Sequence, residues 1–227
     1  MIRLALFDLD HTLLDGDSDV LWCDFLIERG VLDATDFGAR NAQMERDYRA
    51  GSVSTQDFCA FYVSTLAARP RAGWEALRLE FLDTVIAPRI GPAARALLQR
   101  HRDDDDLLVM TTATNRFITE LTAGHLGIEH LIATECELDA DRNFTGRPYG
   151  TLNMRDGKVD RLQAWLAQRG LTLADCDATF YSDSINDLAL LAAVQRPVAT
   201  NPDAQLAAVA AERGWPVLRL HGTGRTA

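Results

Sequence analysis

Short apolar runs alternate along this chain with longer stretches of helical spacing. The run Leu4-Ala5-Leu6-Phe7 is continuous and stops at Asp8. Apolar runs of this length with polar ends read as strands buried on both faces. Residues 107–111, 131–134 and 178–182 have the same character, and 198–199 and 217–220 are shorter late examples. From Ser18 to Pro88 no strand pattern occurs. Val20, Leu21, Phe25 and Leu26 instead fall at helical spacing up to Gly30, and a second helix is expected over 34–50. Ser54-Thr55-Gln56-Asp57 resembles a capping box that opens a third helix running to Arg69-Pro70, and a fourth is expected over 72–85. Further helices are expected over 93–102, 115–126, 157–166, 185–193 and 203–213. The acidic run 103–106 reads as a solvated turn, 135–147 as a hairpin or flap with turn residues Asn143 and Gly146, and 221–227 as a frayed end.

Strands that alternate with helices imply an α/β fold, a three-layer Rossmann-like core around a mainly parallel sheet. The helical stretch interrupts it after the first strand. The expected division is a core of 1–15 and 89–227 and a helical cap of 16–88. Leu14 to Asp17 and 87–91 would be the crossings between them, and hence hinge candidates.

Composition narrows the partners. The formal net charge of −10 over 227 residues argues against nucleic acid or an anionic membrane surface. No apolar run approaches bilayer length and no signal-peptide pattern is seen. Cys23, Cys59, Cys136 and Cys176 are scattered and form no C-x-x-C pair, which points to free thiols and a cytoplasmic location. Of the 23 basic residues 22 are arginines, and Lys158 is the single lysine. A compact ammonium in a chain otherwise committed to guanidinium marks that position for inspection.

Open α/β sheets bind ligands beyond the carboxyl ends of their strands. The first strand runs out into Asp8 and Asp10, two carboxylates that repel unless a cation or shared proton intervenes. The second runs out into Thr111-Thr112-Ala113-Thr114, and 178–182 into Asp183-Ser184-Ile185-Asn186-Asp187. Lys158 begins a helix between them. Each residue also has an ordinary structural role open to it. The aspartates and Thr112 can cap helices or turns, Lys158 can lie on the surface, and Asp187 can be a first-turn acid.

Asp8-Leu9-Asp10-His11-Thr12, Thr112 after an apolar strand, Lys158, and the pair Asp183 and Asp187 resemble, in order, the four motifs of the haloacid dehalogenase superfamily of phosphohydrolases. The helical insert lies where that family's C1 cap belongs, as in its subfamily IB, the phosphoserine phosphatase-like branch. The resemblance implies a Mg2+-dependent phosphomonoester hydrolase working through an aspartyl-phosphate on a small metabolite. It gives Asp8 the role of nucleophile and Asp10 that of general acid and base. Thr112 and Lys158 would hold the phosphoryl group, with Thr111 one residue away as the other register. Asp8, the main-chain carbonyl of Asp10 and Asp183 would hold the metal, with Asp187 acting through water or orienting Lys158. Asn186 becomes a substrate or phosphate contact.

In that branch an acid nine residues past the nucleophile meets the substrate's amine, here Asp17. The branch also uses a cap arginine on the substrate carboxylate, but the corresponding stretch, 58–63, holds none. The expected substrate is therefore an amino-alcohol phosphate such as histidinol phosphate. Trp22, Phe58, Phe61 and Tyr62 are candidates for its aromatic wall. Asp19, Arg46 and Arg49 are further contacts, and either arginine would restore a carboxylate grip. Phosphoserine hydrolysis, phosphotransfer on the same residues, and a non-catalytic Mg2+-binding interaction module are the alternatives.

Overall fold

The computed structural model describes residues 1–222, apart from the Arg49 side chain; of the end expected to fray, 221–227, residues 223–227 lie outside them, while His221 N donates to Asn201 Oδ1 at 3.3 Å. Seven strands form one sheet in the order β4-β3-β2-β1-β5-β6-β7. They are β1 Ile2–Phe7, β2 Leu107–Asn115, β3 His130–Leu138, β4 Phe144–Tyr149, β5 Cys176–Ser182, β6 Arg196–Thr200 and β7 Val217–Leu218. All neighbours pair in parallel except β3 with β4. β1 lies at the centre, with Phe7 opposite Met110 on one side and Tyr181 on the other, so three carboxyl ends open together.

Period-two alternation divides β1 between two cores. Leu4 and Leu6 pack with Val109, Phe180, Leu162 and Leu190 on one face. Helices α7 (Asp156–Ala167), α8 (Leu188–Ala193) and α9 (Ala204–Arg213) supply that layer. Ala5 and Phe7 turn to the other face, against α5 (Pro92–Asp103) and α6 (Arg116–His125). Both cores are continuous, which explains why β1 reads as an unbroken apolar run.

The stretch between β1 and β2 is helical: α1 Ser18–Glu28, α2 Asp36–Ala50, α3 Thr55–Ser64 and α4 Glu75–Phe81. Ser54 caps α3, its hydroxyl accepting from Asp57 N at 3.0 Å. α3 stops at Ser64 and passes into a 3-10 turn, rather than running to Arg69. The expected fourth helix is likewise split among a 3-10 turn, α4 and a wide π turn at Leu82–Ile86, and a second 3-10 turn follows at Ala87–Arg89. Where the chain leaves and re-enters the sheet, Asp15 N donates to Arg89 O at 3.0 Å.

Trp22 is corrected by this packing. It is 1% exposed, with its ring 5.7 Å from that of Trp74 and 5.0 Å from that of Phe81, inside the core that also holds Phe7 and Phe117. It therefore supports α1 and is no substrate wall. Trp22→Ala is expected to lower the unfolding free energy by about 3–5 kcal/mol, the usual cost of an emptied aromatic site. Urea denaturation measures this, and a loss under ~1 kcal/mol would contradict a packed role.

The expected hairpin is β3 and β4. Asn143 at its tip accepts from Arg71 N at 2.9 Å. A Cβ at Gly146, which has φ of 81°, would stand 3.1 Å from Ala67 Cβ, so the hairpin lies directly on the end of α3. Asp106 departs from the solvated turn expected for 103–106. It meets Arg3 at 2.7 Å and His101 Nδ1 at 2.6 Å, and His101 Nε2 reaches Tyr181 OH at 2.8 Å. Among the described residues no helix is long and apolar enough to cross a membrane.

Candidate active site

β1 carries its ladder one residue past Phe7, with Asp8 N donating to Tyr181 O at 2.9 Å. The chain then folds tightly, and Leu9 O accepts from the main-chain N–H groups of Thr12, Leu13 and Leu14. This turn drops Thr12 beneath Asp8. Thr12 Oγ1 lies 3.2 Å from Asp8 Oδ2 and 3.3 Å from Asp183 Oδ1, and it accepts from Asp183 N at 3.1 Å. Asp183 follows β5 directly, so the two central strand ends bring the carboxylates together.

Lys158 reaches the same place from the first turn of α7. Its Nζ donates to Asp8 Oδ1 at 2.7 Å and to Asp187 Oδ2 at 2.6 Å. Asp187 also accepts from Ser182 Oγ at 2.7 Å. Gly157 makes the approach possible, because a Cβ there would stand 2.1 Å from Leu152 O. Burial works against the Lys158 ammonium, but Asp187 and Asp8 outweigh it and hold the group charged above its usual range. Burial pushes Asp8 up to about 7 against the pull of Lys158, with Asp187 and Asp10 adding to the rise. Burial, and then the charge of Asp8, likewise hold Asp183 well above the carboxylate range.

Asp10 is set by its own donors. Its Oδ1 accepts from Ser18 N at 2.7 Å, and its Oδ2 from Thr114 Oγ1 at 3.0 Å and Thr112 Oγ1 at 3.3 Å. Burial, then Asp17, push it up to about 6 despite these bonds. Thr112 is fully buried and touches the site through Asp10, whereas Thr114 borders the open cavity. Thr111 faces away, its hydroxyl accepting from Asn153 Nδ2 at 3.0 Å.

The residues fit a cation. Asp8 Oδ2 and Asp183 Oδ1 converge on one hydroxyl that has a single proton to give. Burial raises both carboxyls, and the charge of Asp8 adds to the rise at Asp183. Among the described residues no three His, Cys, Asp or Glu side chains are grouped as a ligand set. Two carboxylates with water make a donor set suited to Mg2+, which keeps several waters.

Above these groups opens a cavity of about 900 Å3. Asp8, Asp10, Lys158 and Asp183 line its floor. Asp17, Asp19, Glu45, Tyr48 and Phe58 face in from the helical stretch. Asp17 also caps α1, its Oδ1 accepting from Asp19 N at 3.0 Å and Val20 N at 3.1 Å. Asn186 lines the cavity and donates to Tyr48 OH at 3.1 Å, tying the end of β5 to α2. Tyr48 and Phe58 are stacked with ring centres 4.0 Å apart.

Other expected contacts fall elsewhere. Arg46 lies on the exposed side of α2 and donates to Gln43 Oε1 at 2.7 Å, since its helical position turns it from the cavity. Phe61 and Tyr62 are buried with Phe37 and Met154. Arg49 sits on α2, and its side chain lies outside the described residues. Conversely Arg155, Arg219 and His221 line the cavity, as do Glu45 and Tyr48. Thr114 belongs to the strand-end run 111–114, whereas Arg219 is expected within the late strand 217–220 and His221 in the frayed end; β7 stops at Leu218, which frees both to turn into the cavity. Glu45 and Tyr48 carry no such signal, because the docking of α2 places them.

A family model described as haloacid dehalogenase-like hydrolase matches residues 5–192. The chain is 42% identical over 221 residues to a histidinol-phosphatase of Neisseria meningitidis serogroup C (strain 8013), covering 97% of this chain and 100% of that protein. It is 35% identical over 217 residues to phosphoserine phosphatase SerB1 of Mycobacterium tuberculosis (strain ATCC 25618 / H37Rv), covering 94% of this chain and 69% of the relative. A crystal structure of a protein of unknown function from Bordetella pertussis Tohama I superposes with a TM-score of 0.93 at 42% identity, covering 97% of this chain and all of that one. A substrate-bound phosphoserine phosphatase shares the fold, with a TM-score of 0.68 at 15% identity over 96% of this chain and 93% of its own.

Proposed function

Because this chain belongs to the haloacid dehalogenase-like hydrolases, we propose that it hydrolyses an amino-alcohol phosphate, histidinol phosphate, through a phosphoenzyme on Asp8. Phosphomonoester hydrolysis follows from the family and from full-length similarity to a histidinol-phosphatase.

In the first step an Asp8 oxygen attacks phosphorus, and the bond to the leaving oxygen breaks as that oxygen takes the Asp10 proton. In the second, Asp10, now ionised, takes a proton from water as the water displaces phosphate from Asp8. A carboxyl pushed up to about 6 suits both directions near neutral pH. Lys158 holds the attacking carboxylate and is itself held by Asp187. Thr112 and Thr114 aim the Asp10 carboxyl. Mg2+ held by Asp8, the Asp10 carbonyl and Asp183 would supply positive charge to the phosphoryl oxygens.

The observation that carries the substrate reading is the acidic wall facing the nucleophile. Asp17, Asp19 and Glu45 stand on the cavity above Asp8, beside the stacked rings of Tyr48 and Phe58. A substrate amine and a flat ring match these surfaces. Phosphoserine is the second reading. Arg155 and Arg219 line the same cavity and can receive a carboxylate, although α3 carries no arginine. The relation to SerB1 points the same way. A panel of amino-alcohol, amino-acid and sugar phosphates, assayed with Mg2+ and with EDTA, decides between them. Histidinol phosphate is expected to give the highest kcat/KM, and EDTA to abolish turnover. Phosphoserine as the best substrate would overturn the amino-alcohol assignment. Release of 18O-labelled phosphate in labelled water separates hydrolysis from transfer to another alcohol.

A further inference from the structure

Asp19 is a buried acid on the cavity wall that the phosphoryl-transfer steps do not use. It is 5% exposed, on the first turn of α1. Its Oδ2 lies 3.1 Å from Thr114 Oγ1, while its Oδ1 is buried without any hydrogen-bond partner. Buried carboxylate oxygens are rarely left in this state, because the desolvated charge is costly without a donor. Thr114 cannot supply the need. Its single proton is already contested by Asp10 and Asp19, and Ser18 Oγ donates to it at 3.1 Å. Asp19 lines the cavity, so a donor to its Oδ1 can come from a molecule bound there.

We propose that Asp19 Oδ1 accepts an N–H of a second nitrogen-bearing group of the substrate, distinct from the amine received at Asp17. The enzyme then selects phosphomonoesters with two such groups, an ammonium and an N–H of a planar ring. This rests on the reading that the substrate is an amine-bearing phosphomonoester. The chemistry of the wall supports it. Burial, then Asp17 and Asp10, hold the Asp19 carboxyl well above its usual range, and a cationic ring beside it relieves that repulsion. The stacked Tyr48 and Phe58 present aromatic surface to the same cavity, suited to a flat ring. One Asp17 oxygen is committed to the α1 cap, so Asp17 has limited capacity for two donors.

The test compares histidinol phosphate, ethanolamine phosphate and phenyl phosphate on the full chain with Mg2+. These carry two, one and no nitrogen groups. In the wild type kcat/KM is expected to fall in that order. Asp19→Asn is expected to lower kcat/KM for histidinol phosphate by ~10- to 100-fold more than for ethanolamine phosphate, the scale of a lost charge-assisted bond. The loss should lie mainly in KM. Equal losses on all three substrates, or a loss confined to kcat, would overturn the proposal and make Asp19 a positioning residue for Asp10 through Thr114. Asp19→Ser is read in the same way where the asparagine variant does not fold. A wild type that does not prefer ethanolamine phosphate to phenyl phosphate instead removes the amine-bearing reading itself. A wild type that prefers ethanolamine phosphate but gains nothing from the ring rejects the second subsite alone.

Discussion

Asp8→Asn is expected to lower kcat by at least ~10^4-fold, the scale of losing a catalytic nucleophile, while the fold remains intact. An amide nitrogen has no lone pair for attack on phosphorus, and the amide oxygen is far less nucleophilic than a carboxylate. The shape of the side chain is retained, so Leu9, Thr12 and the ladder bond to Tyr181 keep their places. Stability provides an independent readout. The folded Asp8 carboxyl titrates at about 7 rather than 3.8, so in the metal-free protein its contribution is fully present below 3.8. It is lost as pH rises through about 7, because the folded state binds the proton that the unfolded state has released. Asn removes that titration. The metal-free variant is therefore expected to gain stability relative to wild type between pH 4 and 7, followed by thermal melts without Mg2+. Turnover that survives the substitution would assign the nucleophile to another residue.

Lys158→Met is expected to act on turnover and stability together. The ammonium is 2% exposed and bonded to two buried carboxylates. Removing it leaves Asp8 and Asp187 without their counter-charge, and breaking a buried ion pair from one side costs about 3–5 kcal/mol. Protonation of one carboxylate limits this cost below neutral pH and makes the deficit grow as pH rises. Turnover is expected to fall by ~10^2- to 10^3-fold through loss of preorganised positive charge. Lys158→Arg should not restore it, because a larger guanidinium fork cannot take the place of a point charge in a fully buried site. Urea titration and kcat measured on the same samples check both effects. A variant as stable as wild type at pH 8 would contradict the buried three-residue network.

The two outcomes bear on different parts of the site because Asp8 and Lys158 were legible for different reasons. Asp8 ends an apolar strand, and strand ends in parallel sheets are where ligands bind. Asp10, Asp183 and Thr112 were found in the same way. Lys158 stood out as a lone lysine, and its place was legible only as a helix start. Trp22 misled because an aromatic residue on an amphipathic helix near a site has the same signature whether it faces the ligand or the core. Its rotation about α1 is set by Trp74 and Phe81, more than 50 residues away. Arg46 misled similarly, one helical face away from Glu45 and Tyr48. α3 carries no arginine, yet Arg155 and Arg219 enter the same cavity from other elements.

The amino-acid sequence by itself determined the strand and helix order, the parallel sheet and the identity of the acids at its carboxyl end. Those features follow from local periodicity and from connections whose handedness and direction are constrained. Only the tertiary structure decided the pairing of Lys158 with both Asp8 and Asp187, the sharing of Thr114 between Asp10 and Asp19, and the membership of the cavity wall. These depend on contacts between residues separated by about 30 to 150 positions, which packing alone brings into register. The fold surrounds Asp8 and Asp10 with the Lys158 ammonium, the hydroxyls of Thr12, Thr112 and Thr114, and a buried acid, Asp19, that shares Thr114 with Asp10.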